Sequence, residues 1–204
     1  MNFLQEWLAP KTIEEVNSKY SGKLEVMRGS GYYYVKTGIW SQTGGIISDI
    51  WKDVVKKISK KNKRWLVLGL AGGSVAKLIP SPSEIIGVEI DPEMIRIGKQ
   101  YLGLDKIKNL KIINKDAYKY LKQKLPKFDY ILVDVYLGDK LPKFVYTTNF
   151  IKRLRFLGKT VVFNHLFLDE NMREQARKLV LQLGNHFSDI KMQRVLTNLM
   201  IICS

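Results

Sequence analysis

An α/β fold is what this sequence predicts: a doubly wound, mostly parallel seven-stranded sheet with a C-terminal antiparallel hairpin, preceded by a small N-terminal β-hairpin extension. Three observations carry it. From Trp65 onward, short apolar runs alternate with helix-like stretches, and connections of that length demand parallel strands with helices on both faces. The first run leads into the glycine-rich turn Gly69-Leu-Ala-Gly-Gly-Ser74. The last two runs meet around Thr197 and Asn198, too close for a helical crossover, so they pair antiparallel at the sheet edge.

The elements follow in order. Helical segments are expected near Phe3 to Leu8 and Thr12 to Ser18. Lys23 to Arg28 and Tyr32 to Lys36 alternate like strands on either side of Gly29-Ser30-Gly31, which predicts a β-hairpin. Ile47, Ile50, Val54 and Ile58 then fall at helical spacing. Strands are expected at 65–70, 85–89, 110–114, 128–134 and 159–164, with helices at 74–79, 92–102, 117–125, 146–156 and 169–184. Residues 1–43 read as the extension and 44–204 as the main domain.

Composition bounds the function. The 204 residues, 46% hydrophobic and 26% charged, suit one domain with a full core. Cys203 is the only cysteine, and His165 and His186 lie far apart, so neither a disulfide framework nor a metal site is expected. No apolar run reaches the ~18 residues of a membrane span, and the first residues do not resemble a secretion signal. The expectation is a cytoplasmic protein with no membrane partner. The net charge of +15 raises the question of nucleic acid, and Lys52 to Arg64 holds six Lys and one Arg. That cluster straddles a helix C-terminus, where cations favour the dipole, and lacks interleaved aromatics for stacking on bases. Nucleic acid is not the favoured partner.

Ligands of an open α/β sheet sit beyond the carboxyl ends of its strands, and four acidic residues fall there. Glu89 ends the second strand about twenty residues after Gly69, the spacing at which a carboxylate takes the ribose hydroxyls of an adenosine-containing cofactor. Asp91, just before Pro92, reads as a helix N-cap. Asp116 is balanced between capping and ligand contact. Asp134 ends an apolar strand, where a charge must be hydrated, paired or used. The turn has Ala71 and Ser74 where a dinucleotide fingerprint has glycine, which disfavours nicotinamide, and no Gly-Lys-Ser/Thr follows to make a phosphate loop. Tyr32, Tyr33, Tyr34, Trp40 and Tyr136 could wall a pocket, although strand-face packing is the commoner fate of such rings. Asn164 and His165 end the fifth strand within reach of the same region.

These residues resemble the spermidine-synthase-like branch of the class I S-adenosylmethionine-dependent methyltransferase superfamily, a Rossmann-like fold. The resemblance runs through Leu66 to Val75, Gly87 to Glu93, Asp116-Ala117, Tyr130 to Asp134, Gly138-Asp139, Pro142, Tyr146 to Phe150 and Asn164. Trp40-Ser-Gln42 resembles the segment that precedes the catalytic domain in that family. The resemblance implies that Gly69, Ala71, Gly72 and Gly73 meet the amino-acid part of S-adenosylmethionine and Glu89 its ribose. It places Asp116 and Ala117 at the adenine, Gln42 at the tail, and Asp134 at the reacting amine as base. Asp139 is a second candidate acid for attracting a polyamine, against the plain reading of a solvated loop residue.

Polyamine synthases of this family carry an aspartate where Gly72 stands here. Decarboxylated S-adenosylmethionine ends in an ammonium, so that loss removes an expected partner. The main expectation is therefore methyl transfer to a small amine-bearing or other nucleophile. Aminopropyl transfer from decarboxylated S-adenosylmethionine is the alternative, with an RNA or DNA methyltransferase and a non-catalytic binding module below it. Family members commonly dimerise, and the resemblance implies a homodimer with the N-terminal hairpin available for the contact.

Overall fold

The structure, a computed structural model, describes residues 10–138 and 140–204. The helix expected at Phe3 to Leu8 and the side chain of Asp139 lie outside the described residues.

The chain begins with a four-stranded antiparallel sheet in the order β1-β2-β3-β4: β1 (Lys11–Ser18), β2 (Gly22–Gly29), β3 (Tyr32–Thr37) and β4 (Trp40–Gly44). The expected hairpin is β2–β3. Its loop residues Ser30 and Gly31 both have positive φ, as a type I′ turn requires. The helix expected at Thr12 to Ser18 is instead β1. Its Thr12 and Val16 fit a helical spacing, but pairing with β2 overrides that weak local preference. After a register shift between Thr12 and Glu14, the residues Glu14, Val16 and Ser18 share one strand face. Two of them reach the main domain, where Glu14 Oε1 accepts from Arg96 Nη2 at 2.5 Å and Ser18 Oγ donates to Asp91 Oδ2 at 2.5 Å.

The main sheet has seven strands in the order β10-β11-β9-β8-β5-β6-β7. Five are parallel: β5 (Arg64–Leu68), β6 (Glu84–Glu89), β7 (Leu110–Asn114), β8 (Phe128–Val133) and β9 (Gly158–Leu166). The antiparallel pair β10 (Ile190–Val195) and β11 (Asn198–Cys203) completes one edge, as expected. In β5, Leu66 and Leu68 pack on one face while Trp65 and Val67 pack on the other, which explains the unbroken apolar run. Helices α1 (Ile46–Ile58) and α2 (Pro92–Leu102) contribute to the second face, and α3 (Ala117–Leu121), α4 (Thr148–Leu157) and α5 (Glu170–Gly184) cover the first.

Two expected helices are shorter. The segment 74–79 forms only a 3₁₀ turn over Ala76–Leu78, because Pro80 follows closely and the Ser74 hydroxyl bonds Thr43 and the Gly44 N–H. The stretch 117–125 is helical only to Leu121, short of Pro126. Asp91 caps α2 through the Glu93 N–H with Pro92 at the first helical position, and Gly103, at φ 63, terminates that helix. The small sheet docks on α2 through Leu24, Val26 and Val35 packed against Met94, Ile97 and Leu102. Among the described residues, no helix is long and apolar enough to cross a membrane, and no group of His, Cys, Asp and Glu is arranged to hold a metal.

Candidate active site

The chain passes from β5 outward to β6 and β7, then returns to the other side of β5 as β8 and β9. That reversal opens a crevice beyond the carboxyl ends of β5 and β8. A cavity of about 560 Å³ lies there. Gly69 makes the approach of the two strand ends possible: its φ is +83°, and a Cβ on it would stand 2.2 Å from the carbonyl oxygen of Asp134. The Asp134 N–H meanwhile donates to Leu68 O at 2.8 Å, holding the strand ends together.

On the β6 side, Glu89 is buried with its carboxylate turned to the glycine-rich turn. Ala71, at φ 47, donates its N–H to Oε2 at 2.7 Å, and the Asp91 N–H donates to Oε1 at 2.9 Å. Burial raises the Glu89 pKa, and the two backbone donors oppose that rise. Asp116, after β7, is a helix cap: Oδ1 accepts from the Lys119 N–H at 2.8 Å at the start of α3, and the residue also lines the cavity with Ala117. Gln42 lines it from β4, and its Nε2 makes a long 3.5 Å contact to Gly138 O, linking the small sheet to the segment after β8.

Gly72 and Gly73 do not line the cavity. A Cβ on Gly72 would lie 2.2 Å from Leu102 Cδ1 and 2.8 Å from Thr43 Cγ2, and one on Gly73 would lie 2.5 Å from Leu104 Cδ1. They let the turn pack against α2 and the small sheet. The positions that meet the cavity are Gly69 and Ala71.

Asp134 stands across the crevice from Glu89, and it is held from two directions. Trp51 Nε1, on α1, donates to Oδ2 at 2.9 Å, and Asn164 Nδ2, on β9, donates to Oδ1 at 2.8 Å. The amide of Asn164 is itself oriented, since its Oδ1 accepts from Asn198 Nδ2 at 2.7 Å. Thr197 Oγ1 donates to Asn198 Oδ1 at 3.0 Å, so a run of three polar side chains leads to one carboxylate oxygen. The carboxyl is reachable from the cavity yet lies deep, and desolvation pushes its pKa up to about 6 against these two hydrogen bonds. Such a group is ionised at neutral pH and still basic enough to accept a proton.

Of the other expected residues, Trp40, Tyr136 and Asn164 line the cavity. Tyr33 instead packs on Tyr101 and Tyr32 on Tyr34. His165 is buried away from the cavity: Nδ1 contacts Leu166 O at 2.6 Å and Nε2 contacts Tyr146 Oη at 2.9 Å. A carbonyl can only accept, so Nδ1 carries the proton and Nε2 accepts from the tyrosine; burial lowers the pKa of this ring. Trp51 and Asn198 were not legible as site residues. The signal for Trp51 was an indole N–H on an apolar helix face, which needs a partner once buried; Asn198 had none, being a turn-type residue at a hairpin.

The sequence model of the spermine/spermidine synthase domain matches residues 47–184. No curated protein matches the sequence. Among solved structures, spermidine synthase from Thermotoga maritima is 13% identical, with 95% of this chain and 72% of that chain covered at a TM-score of 0.74. A probable spermidine synthase from Corynebacterium glutamicum is 16% identical, with 94% and 79% covered at 0.76. Human methyltransferase-like protein 13 in complex with SAH is 20% identical, with 78% of each chain covered at 0.58. At these identities the likeness to the structures is one of fold.

Proposed function

The chain belongs to the spermine/spermidine synthase domain family, and from that premise we propose that it alkylates an amine with a sulfonium nucleoside, transferring an aminopropyl group from decarboxylated S-adenosylmethionine. The observation that carries the proposal is Asp134, a carboxylate oriented by Trp51 and Asn164 in the switch-point crevice that the buried Glu89 also lines, with desolvation pushing its pKa up to about 6. A spermidine synthase of the same fold has been solved with the transition-state analogue AdoDATO, which supports a sulfonium-nucleoside donor here.

In this reading Glu89 holds the ribose diol, its oxygens already aimed by the Ala71 and Asp91 N–H groups. Gly69 and Ala71 let the backbone approach the donor's tail, Gln42 meets the tail from β4, and Asp116 with Ala117 borders the adenine. An aliphatic amine has a pKa near ~10 and enters protonated, so Asp134 takes a proton from it and orients the freed lone pair. The nitrogen then forms a bond to the carbon on sulfur while the C–S bond breaks and its electron pair returns to sulfur. The sulfonium is already an activated leaving group, so the protein's work is alignment and exclusion of water.

One observation favours a second reading, methyl transfer from S-adenosylmethionine. Gly72 brings no acid to this point of the turn and does not line the cavity, packing instead on Leu102 and Thr43, so it offers no partner to the ammonium tail of a decarboxylated donor. Calorimetric titration with S-adenosylmethionine, its decarboxylated form and methylthioadenosine tests both. Tighter binding of the decarboxylated form supports aminopropyl transfer, tighter binding of S-adenosylmethionine supports methyl transfer, and binding of none of the three removes both.

A further inference from the structure

The mouth of the cavity carries large apolar side chains that water reaches. Ile39 occupies the two-residue turn between β3 and β4 and is 88% exposed, although such tips ordinarily hold polar residues. Ile46, the first residue of α1, is 48% exposed, and Leu137, after β8, is 46% exposed. All three line the cavity, with Ile50 and Phe144 continuing the apolar wall. The segments bearing Ile39 and Leu137 are tied together by the contact between Gln42 and Gly138.

The charges are arranged differently. Among the described residues, the carboxylates lining the cavity are Glu89, Asp116 and Asp134. Glu89 is turned to the glycine-rich turn and Asp116 caps α3, while Asp134, oriented by Trp51 and Asn164, is the carboxylate that the proposed reaction assigns to the acceptor. The whole chain carries a net charge of +15, a field that opposes the approach of a polycation.

We propose that the acceptor is a monoamine with an apolar body, an alkyl or arylalkyl amine whose hydrocarbon part lies against Ile39, Ile46 and Leu137 while its nitrogen meets Asp134. This rests on the amine-alkylation reading above. The acceptor enters as an ammonium ion and gives one proton to Asp134. Its nitrogen bonds the donor carbon as the C–S bond breaks toward sulfur, and the products are a secondary ammonium ion and a neutral thioether nucleoside. Asp134 then releases its proton to water. One positive charge meets one carboxylate, and the remaining contact is hydrocarbon on hydrocarbon.

The test compares propylamine, butylamine, hexylamine and phenethylamine with putrescine and spermidine, using both donors and mass-spectrometric detection of the product. Butylamine and putrescine differ only by a terminal ammonium, so that pair isolates the second charge. Butylamine is expected to exceed putrescine in kcat/KM, with a gain of about fourfold per added methylene until the wall is covered. Ile39→Asp and Leu137→Asp are expected to lower hexylamine turnover tenfold or more and to raise that of putrescine. Putrescine turned over as well as butylamine, or no gain with chain length, overturns the proposal. A putrescine preference abolished by Asp139→Asn also overturns it, by assigning a second cation partner to Asp139. Methylthioadenosine binding without turnover of any monoamine overturns the acceptor class alone, whereas absence of that binding overturns the donor reading beneath it.

Discussion

Trp51 Nε1 donates to Asp134 Oδ2 at 2.9 Å, joining residues 83 apart in the chain. The contact joins the first helix of the main domain to the end of β8 and fixes one of the two oxygens of the proposed base. Its removal in Trp51→Phe leaves the ring's packing largely in place but deletes a hydrogen bond that holds the Asp134 pKa down. The acidic limb of kcat/KM should move to higher pH, with stability reduced by about 1 to 3 kcal/mol where the carboxylate is charged. An unmoved limb in a pH-rate profile would show that the indole packs without tuning the base.

Asp134→Asn should lower turnover at least ~100-fold while leaving methylthioadenosine affinity within a few-fold, as expected for loss of a general base. Stability should report the same group. Its folded pKa of about 6 lies above the ordinary 3.8, so the folded state holds the proton more tightly than the unfolded chain. Its contribution is therefore fully present below pH ~4 and is lost as pH rises through 6, by up to about 3 kcal/mol. Chemical denaturation from pH 4 to 8 should show wild type losing ground to the variant over that window; parallel curves would contradict the raised pKa.

Asn198→Leu tests the relay from a distance. Without Asn198 Nδ2, the Asn164 amide loses the contact that turns its NH₂ toward Asp134. The expected result is a lowered kcat and an upward shift of the acidic limb with donor affinity unchanged, measured by steady-state kinetics and calorimetry. Loss of donor binding instead would mean that the hairpin shapes the whole cavity.

Glu89→Gln should weaken donor binding more than tenfold. A carboxamide has one acceptor oxygen, so it cannot take both the Ala71 and Asp91 N–H groups, and one buried donor is left unpaired at a cost of about 1 to 3 kcal/mol. Thermal unfolding and calorimetry together separate the two effects.

Gly69→Ala should be the most damaging single methyl in the chain's central turn. The new Cβ would fall 2.2 Å from Asp134 O in a backbone at φ +83°, which predicts destabilisation above about 2 kcal/mol by denaturant titration and loss of activity in whatever fraction folds.

The alternation of apolar runs with helical stretches from Trp65 onward determined the doubly wound sheet, because short crossovers admit only parallel strands and the terminal pair around Thr197 leaves no room for one. Residues at strand ends were legible for the same reason: Glu89, Asp116 and Asp134 all line one cavity, since topology alone carries the carboxyl ends of the parallel strands to one edge. Other features arose only on folding. Thr12 to Ser18 became a strand because β2 was there to pair with it, and Gly72 and Gly73 turned out to pack against α2 and its following loop, because which side of a turn faces a ligand depends on what docks behind it. The pairing of Asp134 with Trp51 and Asn164, the pKa that follows from its depth, and the apolar mouth formed by Ile39, Ile46 and Leu137 join segments far apart in sequence. Local patterning sets the order and direction of elements; desolvation and hydrogen-bond partners exist only after distant segments have packed together.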